Sequence, residues 1–416
     1  MKLLVGLKRE RINKIVLPLR SPNENRPILG STLLALLFCG LLFKACGPIE
    51  SEATAVPGLT DSTITIGSWG PLSGPAAAWG SMTHAMDAYF QLINEEGGVH
   101  GRKINFVYKD DGYNAARTVP IVRSLVEDEN VFALIGGLGT NTGMAVLPYI
   151  EAKKVPWVSP GSGSDAWSTP PKQNIFATFG RYIDEAPKLV KYVVDSLESK
   201  KIAIVFQNDD FGRSAKQAAL KSLESEQVKA VTTISYELGE REMSTQAARL
   251  KASGAEIVLL WMGPQQAVAL LSSARSLGYR PQWVASTVLS DMERMYDLTE
   301  GAWEGVIFGY YGVMPTDTVH PRLQTYKAAL ARYHPEIAWG AFAETGFIYA
   351  EPMLAALESV GPSLSRERFV AAMEGLDFQG IGPRIRFGPD QRQGHQSLYL
   401  MRCTGRNSHV SLTDWL

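Results

Sequence analysis

From Thr63 onward the chain alternates short runs of β-branched and aromatic residues with longer stretches of helical periodicity. Strands that alternate with helices in this way build βαβ units around a parallel sheet, and no other feature constrains the fold as strongly. A first series supplies strand candidates in ITIGSW, KINFVYKDD, VFALIGG and VPWVSP, with helices expected at about 77–95, 115–129 and 141–152. IFATFG, ending at Gly180, reads as the segment that carries the chain out of this unit. A second series opens at Lys201 with KIAIVFQNDD and continues through VKAVTTISYE, EIVLLWMG and QWVAST, with helices at about 213–224, 244–253 and 265–277. Two series of similar length imply two similar αβ lobes. After GVIFGYYG come three helical stretches, near 320–334, 342–359 and 365–374, and RIRFGPDQRQGHQSLYLMRC reads as a closing β-hairpin across a Gly-rich turn.

Ligands of open α/β sheets sit beyond the carboxyl ends of the strands, so the loops after each strand are the candidate sites. Four stand out: GPLSGPAAAW, GGLGTNTG, SPGSGSD and NDDFG, with WMGPQQ and ASTVLSD as weaker candidates. In the first, glycines permit close backbone approach, prolines hold the loop open, and Trp79 offers an aromatic lid or a core filler. The loop Gly136 to Gly143 leads into a helix, so its N–H groups and the hydroxyls of Thr140 and Thr142 suit an anion such as a carboxylate. Its glycine spacing departs from G-x-G-x-x-G, and KKVPWVSP lacks a terminal acid for a ribose, so no nucleotide cofactor is expected. Ser162 and Ser164, set between Gly161 and Gly163, fit either ligand binding or plain turn chemistry.

Composition narrows the class. A net charge of −1 gives no basic surplus for nucleic acid. There is no G-x-S-x-G elbow, and the six histidines (His84, His100, His320, His334, His395 and His409) lack metal-ligand spacing along the chain, so neither an enzyme nor a metal centre is expected. Basic residues scatter through Met1 to Arg26, and an uncharged apolar run follows from Pro27 to Phe43. It ends in Leu42-Phe43-Lys44-Ala45-Cys46-Gly47, a pattern of bacterial lipoprotein processing at Cys46 from which Lys44 departs. Residues 1–46 therefore read as a signal peptide or a retained anchor, and 47–61 as a polar tether; either reading places the remainder outside the cytoplasm. With only Cys39, Cys46 and Cys403 present, no disulfide framework is available.

Several motifs in this order carry a resemblance: ITIGSWGPLSGPAAAWG, INEEGGVHGRKINFVYKDDGYNAART, VFALIGGLGTNTG, VPWVSPGSGSD, KKIAIVFQNDDFGRS and MSTQAARLKASGAEIVLLWMG. From about Asp61 to the end the chain resembles the extracytoplasmic substrate-binding proteins of branched-chain amino acid ABC transporters, the type I periplasmic binding proteins. The resemblance implies two Rossmann-like αβ lobes joined by three crossing strands, closing like a Venus flytrap on a small solute. The first lobe would comprise 62–180 plus 312–388, and the second 181–311 plus 389–416. It implies that Trp79 covers the ligand from the first lobe. Gly139, Thr140 and Asn141, with Ser162 and Ser164, would bind its carboxylate. Phe211 is the implied aromatic of the second lobe, with Met262 and Gly263 lining that side. Amino acid binders of the family carry an acid for the ligand's ammonium at about the position of Thr287; here the nearby alternative is Asp291. Where some relatives carry a disulfide, this chain has Tyr113 and Gly139. The implied role is delivery of a carboxylated solute, an amino acid or another aromatic or aliphatic carboxylate, to an inner-membrane ABC permease. A membrane-anchored ligand sensor of the same fold is the alternative.

Overall fold

β1 (Thr63–Gly70) is buried along almost its whole length. A strand without a wet face belongs in a parallel sheet covered on both sides. It pairs in parallel with β2 (Lys103–Asp110) and β3 (Ala133–Ile135), and the sheet continues through β4 (Trp157–Val158) and β5 (Ile175–Phe176) in the order β2-β1-β3-β4-β5. IFATFG thus contributes a fifth strand before it leaves. The computed structural model describes residues 55–416. The expected signal or anchor segment, Cys46 and the start of the tether lie outside the described residues. The tether's described end is seated against the first sheet: Thr65 N donates to Gly58 O (2.7 Å), and a Cβ on Gly58 would stand 2.0 Å from Phe132 N.

A second sheet takes β6 (Ile202–Gln207), β7 (Thr232–Tyr236), β8 (Ile257–Trp261), β9 (Gln282–Ala285) and β10 (Ile307–Tyr310), all parallel. Late in the chain β11 (Asp377–Phe378) and β12 (Ile385–Arg386) form a small antiparallel ribbon. β13 (Tyr399–Gly405) adds antiparallel to β10 and β14 (Ser408–Ser411) pairs beyond it, giving β14-β13-β10-β9-β8-β6-β7. This corrects the expected closing hairpin. Gly388 and Gln391 do make a tight reversal, but the two apolar runs part and pair elsewhere. A lone hairpin is marginal in water, whereas Leu400, Met401 and Cys403 are buried in the large sheet.

The chain passes between the sheets three times: after β5, after β10 and before β13. The first and third passages run side by side, with Ala177 N donating to Arg392 O and Gly394 N to Ala177 O, both at 2.8 Å. The side chain of Gln393 donates to Phe179 O (2.8 Å) and His395 Nε2 meets Thr178 O (2.6 Å). Among the described residues no helix is long and apolar enough to cross a membrane.

Between its ends the helix Ala341–Val360 is almost entirely buried, packed so closely on the helix Ser81–Glu95 that a Cβ at Gly346 would stand 2.2 Å from Met82 O. Its burial takes two acids with it. Glu351 accepts from Tyr326 Oη (2.7 Å) and Ile381 N (3.0 Å). Glu344 accepts from Tyr310 Oη (2.7 Å) through one oxygen, while Oε1 has no partner. Desolvation pushes both carboxyls above the usual glutamate range. A carboxyl raised in the folded state contributes stability below its unfolded pKa and loses it as pH rises through the folded value. Melting temperature should therefore fall as pH rises above the ordinary glutamate range. Glu344→Gln should match the wild type at the acid end and melt higher at the alkaline end. Thermal denaturation of both proteins as a function of pH checks it.

Candidate functional site

The glycine-rich loops keep their shape because large rings stand directly behind them. Trp69 and Trp157 pack with ring centroids 5.3 Å apart, and Trp157 with Trp167 at 5.2 Å. Trp157 Nε1 donates to Gly136 O (2.8 Å) and Trp167 Nε1 to Ser162 O (3.0 Å), pinning two loops from beneath. Gly139 has φ +110°, and a Cβ there would meet the Tyr113 ring at 2.6 Å. The two positions tied to a disulfide by the resemblance are thus neighbours, with a phenol ring laid against bare backbone.

These loops meet those of the second sheet around a cavity. Eight aromatic side chains line it: Trp79, Tyr113, Phe179, Tyr182, Phe211, Tyr311, Phe342 and Tyr349. Met82, Leu138 and Val288 add apolar wall; Gly139, Gly161, Thr287, Ser290 and Thr345 add the polar groups. Among the described residues no charged side chain lines it. The cavity between the walls has a volume of only about 30 Å³. It is a thin slot, with room for about two waters unless the walls part.

Of the residues expected at a site, Trp79, Gly139, Phe211 and Thr287 stand in the wall. Trp79 Nε1 donates to Val288 O (2.9 Å), joining the loops of one sheet to those of the other. Phe211 packs on Tyr182 at 4.8 Å. Gly139 N is spent on Gly161 O (3.2 Å). Thr140, Ser162 and Ser164 lie behind the wall with their hydroxyls engaged. Thr140 Oγ1 donates to Ser162 Oγ (3.1 Å), which also accepts from Trp167 Nε1 (3.0 Å), and Ser164 Oγ accepts from Ala166 N (3.3 Å). Thr142 Oγ1 turns back to Leu138 O (2.6 Å). The Asn141 amide instead bridges to Asp209 Oδ2 (3.3 Å) across the two halves.

Met262 and Gly263 are corrected. With side chains alternating along β8, Met262 shares a face with Val258 and Leu260 and is fully buried in the core on that side. Gly263 opens the helix Pro264–Ser276 with its N–H given to Tyr236 Oη (2.7 Å). Neither reaches the cavity. Asp291 does not take the place of the missing acid either: it accepts from Arg294 N (3.3 Å) and Phe342 N (3.1 Å), starting two helices. Burial pushes its pKa up to about 6.

An acid outside the strand-end loops lies next to Thr287. Glu185, on the helix Tyr182–Ser196, accepts from Thr287 N (2.6 Å), Ser286 Oγ (2.9 Å) and Trp261 Nε1 (3.3 Å). It is fully buried and its carboxyl is raised by desolvation. Phe342 and Tyr349 come from the 341–360 helix and not from a strand-end loop, and Tyr311 directly follows β10, whose loop the sequence does not single out. The one available signal was the 342, 345, 349 spacing, which puts three wall residues on one helical face.

A sequence profile of the family described as "Periplasmic binding protein" matches residues 63–408. The "Leu/Ile/Val-binding protein homolog 7" of Brucella abortus (strain 2308) is 25% identical over 324 residues, covering 74% of this chain and 80% of the relative. The "Leu/Ile/Val-binding protein" of Escherichia coli (strain K12) is 26% identical over 230 residues, 54% of this chain and 62% of that one. Among solved structures, a "Fatty acid ABC transporter substrate-binding protein" from Thermomonospora curvata superposes with a TM-score of 0.78 at 24% identity, over 87% of this chain and 94% of its own. A branched-chain amino acid ABC transporter protein from Thermus thermophilus with bound valine gives 0.77 at 20% identity, over 86% and 97%. At these identities the two structures bear on the fold alone.

The Trp79–Val288 bond is one of the few polar ties between the loops of the two sheets, and a neutral hydrogen bond is worth about 1 kcal/mol. Trp79→Phe keeps the ring and deletes the donor. The variant should populate a more open form without added solute, read as a larger radius of gyration by small-angle scattering with unchanged circular dichroism.

Proposed function

Because the chain belongs to the periplasmic binding protein family, whose members are extracytoplasmic solute-binding proteins rather than enzymes, we propose that it is the solute-binding component of an ABC importer. It traps a small carboxylated solute in the aromatic slot and delivers it to an inner-membrane permease. The observation that carries this reading is a slot walled by aromatics from both halves and by no charge. Ligand held on one half gains the second half's contacts only on closure, so binding shifts the population toward the closed form.

The same wall argues for the class of solute. An ammonium in the slot would stand without a charged partner, at a cost of several kcal/mol. Glu185 is already spent on three donors of the protein. A carboxylate has better prospects: the helix Thr140–Lys153 begins at the wall, its first N–H groups lack intrahelical partners, and Thr287 and Ser290 add hydroxyls, while that of Thr345 is given to Ala341 O. The favoured ligand is a flat or branched carboxylate without an α-amino group. Residues 1–46 would export the chain, with Cys46 lipidated or the segment kept as an anchor; the intact mass of the mature protein separates the two.

A thermal-shift screen against amino acids, aromatic and aliphatic carboxylates, amides and polyamines tests the ligand class, since a ligand of the native state raises the melting temperature. Non-amino carboxylates should give the largest shifts. A response confined to leucine-like amino acids would overturn the proposed class. For the best solute, Trp79→Ala and Phe211→Ala should each weaken binding by about 1–3 kcal/mol in isothermal titration. Full affinity in both variants would remove the slot as the binding site.

A further inference from the structure

Away from the slot, His84 meets two residues about 250 positions further along the chain. His84 lies on the 81–95 helix, and His334 and Glu336 follow the helix Pro321–Tyr333; their ligating atoms all lie within 4.8 Å of one another. We propose that His84, His334 and Glu336 bind one divalent transition-metal ion of the zinc type, with Asp87 orienting His334.

The geometry of one ligand pair already suits an ion. Donors about 2.0–2.1 Å from a tetrahedral centre lie about 3.3 Å apart, and His334 Nδ1 stands 3.3 Å from Glu336 Oε1. The other ring nitrogen of His334 is 2.7 Å from Asp87 Oδ2. A carboxylate there holds the proton on Nε2 and leaves the Nδ1 lone pair directed at Glu336, the support that metal-bound histidines ordinarily have. Without an ion that contact needs a proton on His334 Nδ1, which a bound cation would displace. The His84 ring centroid lies 4.8 Å from that of His334, and His84 Nδ1 is buried with no hydrogen-bond partner. Around a bound ion the donors, within 4.8 Å of one another, would draw in to about 3.3 Å. Two imidazoles and a carboxylate select zinc-like ions over calcium or magnesium, which prefer all-oxygen sets. His84 and Glu336 also border a groove of about 310 Å³, which leaves room for water to complete the coordination. The site shares no residue with the solute slot.

The test uses the purified chain, stripped with chelator and titrated with Zn²⁺ by calorimetry near neutral pH. One ion per chain should bind with a dissociation constant below about 10 μM, and Co²⁺ in its place should give the visible absorption of a tetrahedral centre. His84→Gln and His334→Gln should each weaken binding at least about 100-fold, and Asp87→Asn by about 10–100-fold with the stoichiometry kept. Metal-free melting curves identify any variant that fails to fold. Should His334→Gln fail through loss of its Asp87 bond, His84→Gln decides. No binding up to about 1 mM Zn²⁺, or unchanged affinity in folded His84→Gln, would overturn the site.

Discussion

A single buried carboxylate sets the geometry on which the slot depends. Glu185 stands just past the first passage between the sheets and gathers Thr287 N, Ser286 Oγ and Trp261 Nε1, groups from the ends of β8 and β9. Three donors offset the cost of withdrawing it from water; without it, each would be left unpaired in the interior. Thr287 thereby keeps its place in the wall, and the acid is absorbed into the scaffold instead of facing the solute. The protein has a carboxylate within one residue's reach of the cavity and presents only uncharged groups there.

Aromatic walls follow from the same constraint. A wall without charge gains affinity from buried area and ring contact, and rings lose few rotamers when a solute docks. The rings come from both sides: Trp79 and Tyr113 from the loops of the first sheet, Phe211 from the second, and Phe179 and Tyr311 from the passages between them. Separating the sheets would divide the wall, so under the proposed function ring contact with a solute and closure are one event energetically.

The two αβ series were legible because parallel strands buried on both faces read as continuous apolar runs, as β6 and β8 do. The Tyr182–Ser196 helix was missed, since Pro187 and its charged first turn mask a sound stripe of Ala186, Leu189, Val190 and Val193. At the site, sequence found the loops but could not say which hydroxyls the protein keeps for itself; Ser162 and Ser164 look free on the page and are occupied in space. Met262 failed on parity, one residue along a strand being a change of face. The wall residues Tyr311, Phe342 and Tyr349 lie more than 150 positions from the Trp79 loop, and no local pattern records a contact made over such a distance.

The threefold passage of the chain has a further consequence for how the protein is made. β13, the last long strand, completes the second sheet beside β10, while the 341–360 helix that buries the 81–95 helix comes late in the chain. Neither half is whole until these late elements have been synthesised. A partly emerged chain therefore holds two unfinished cores and no finished one.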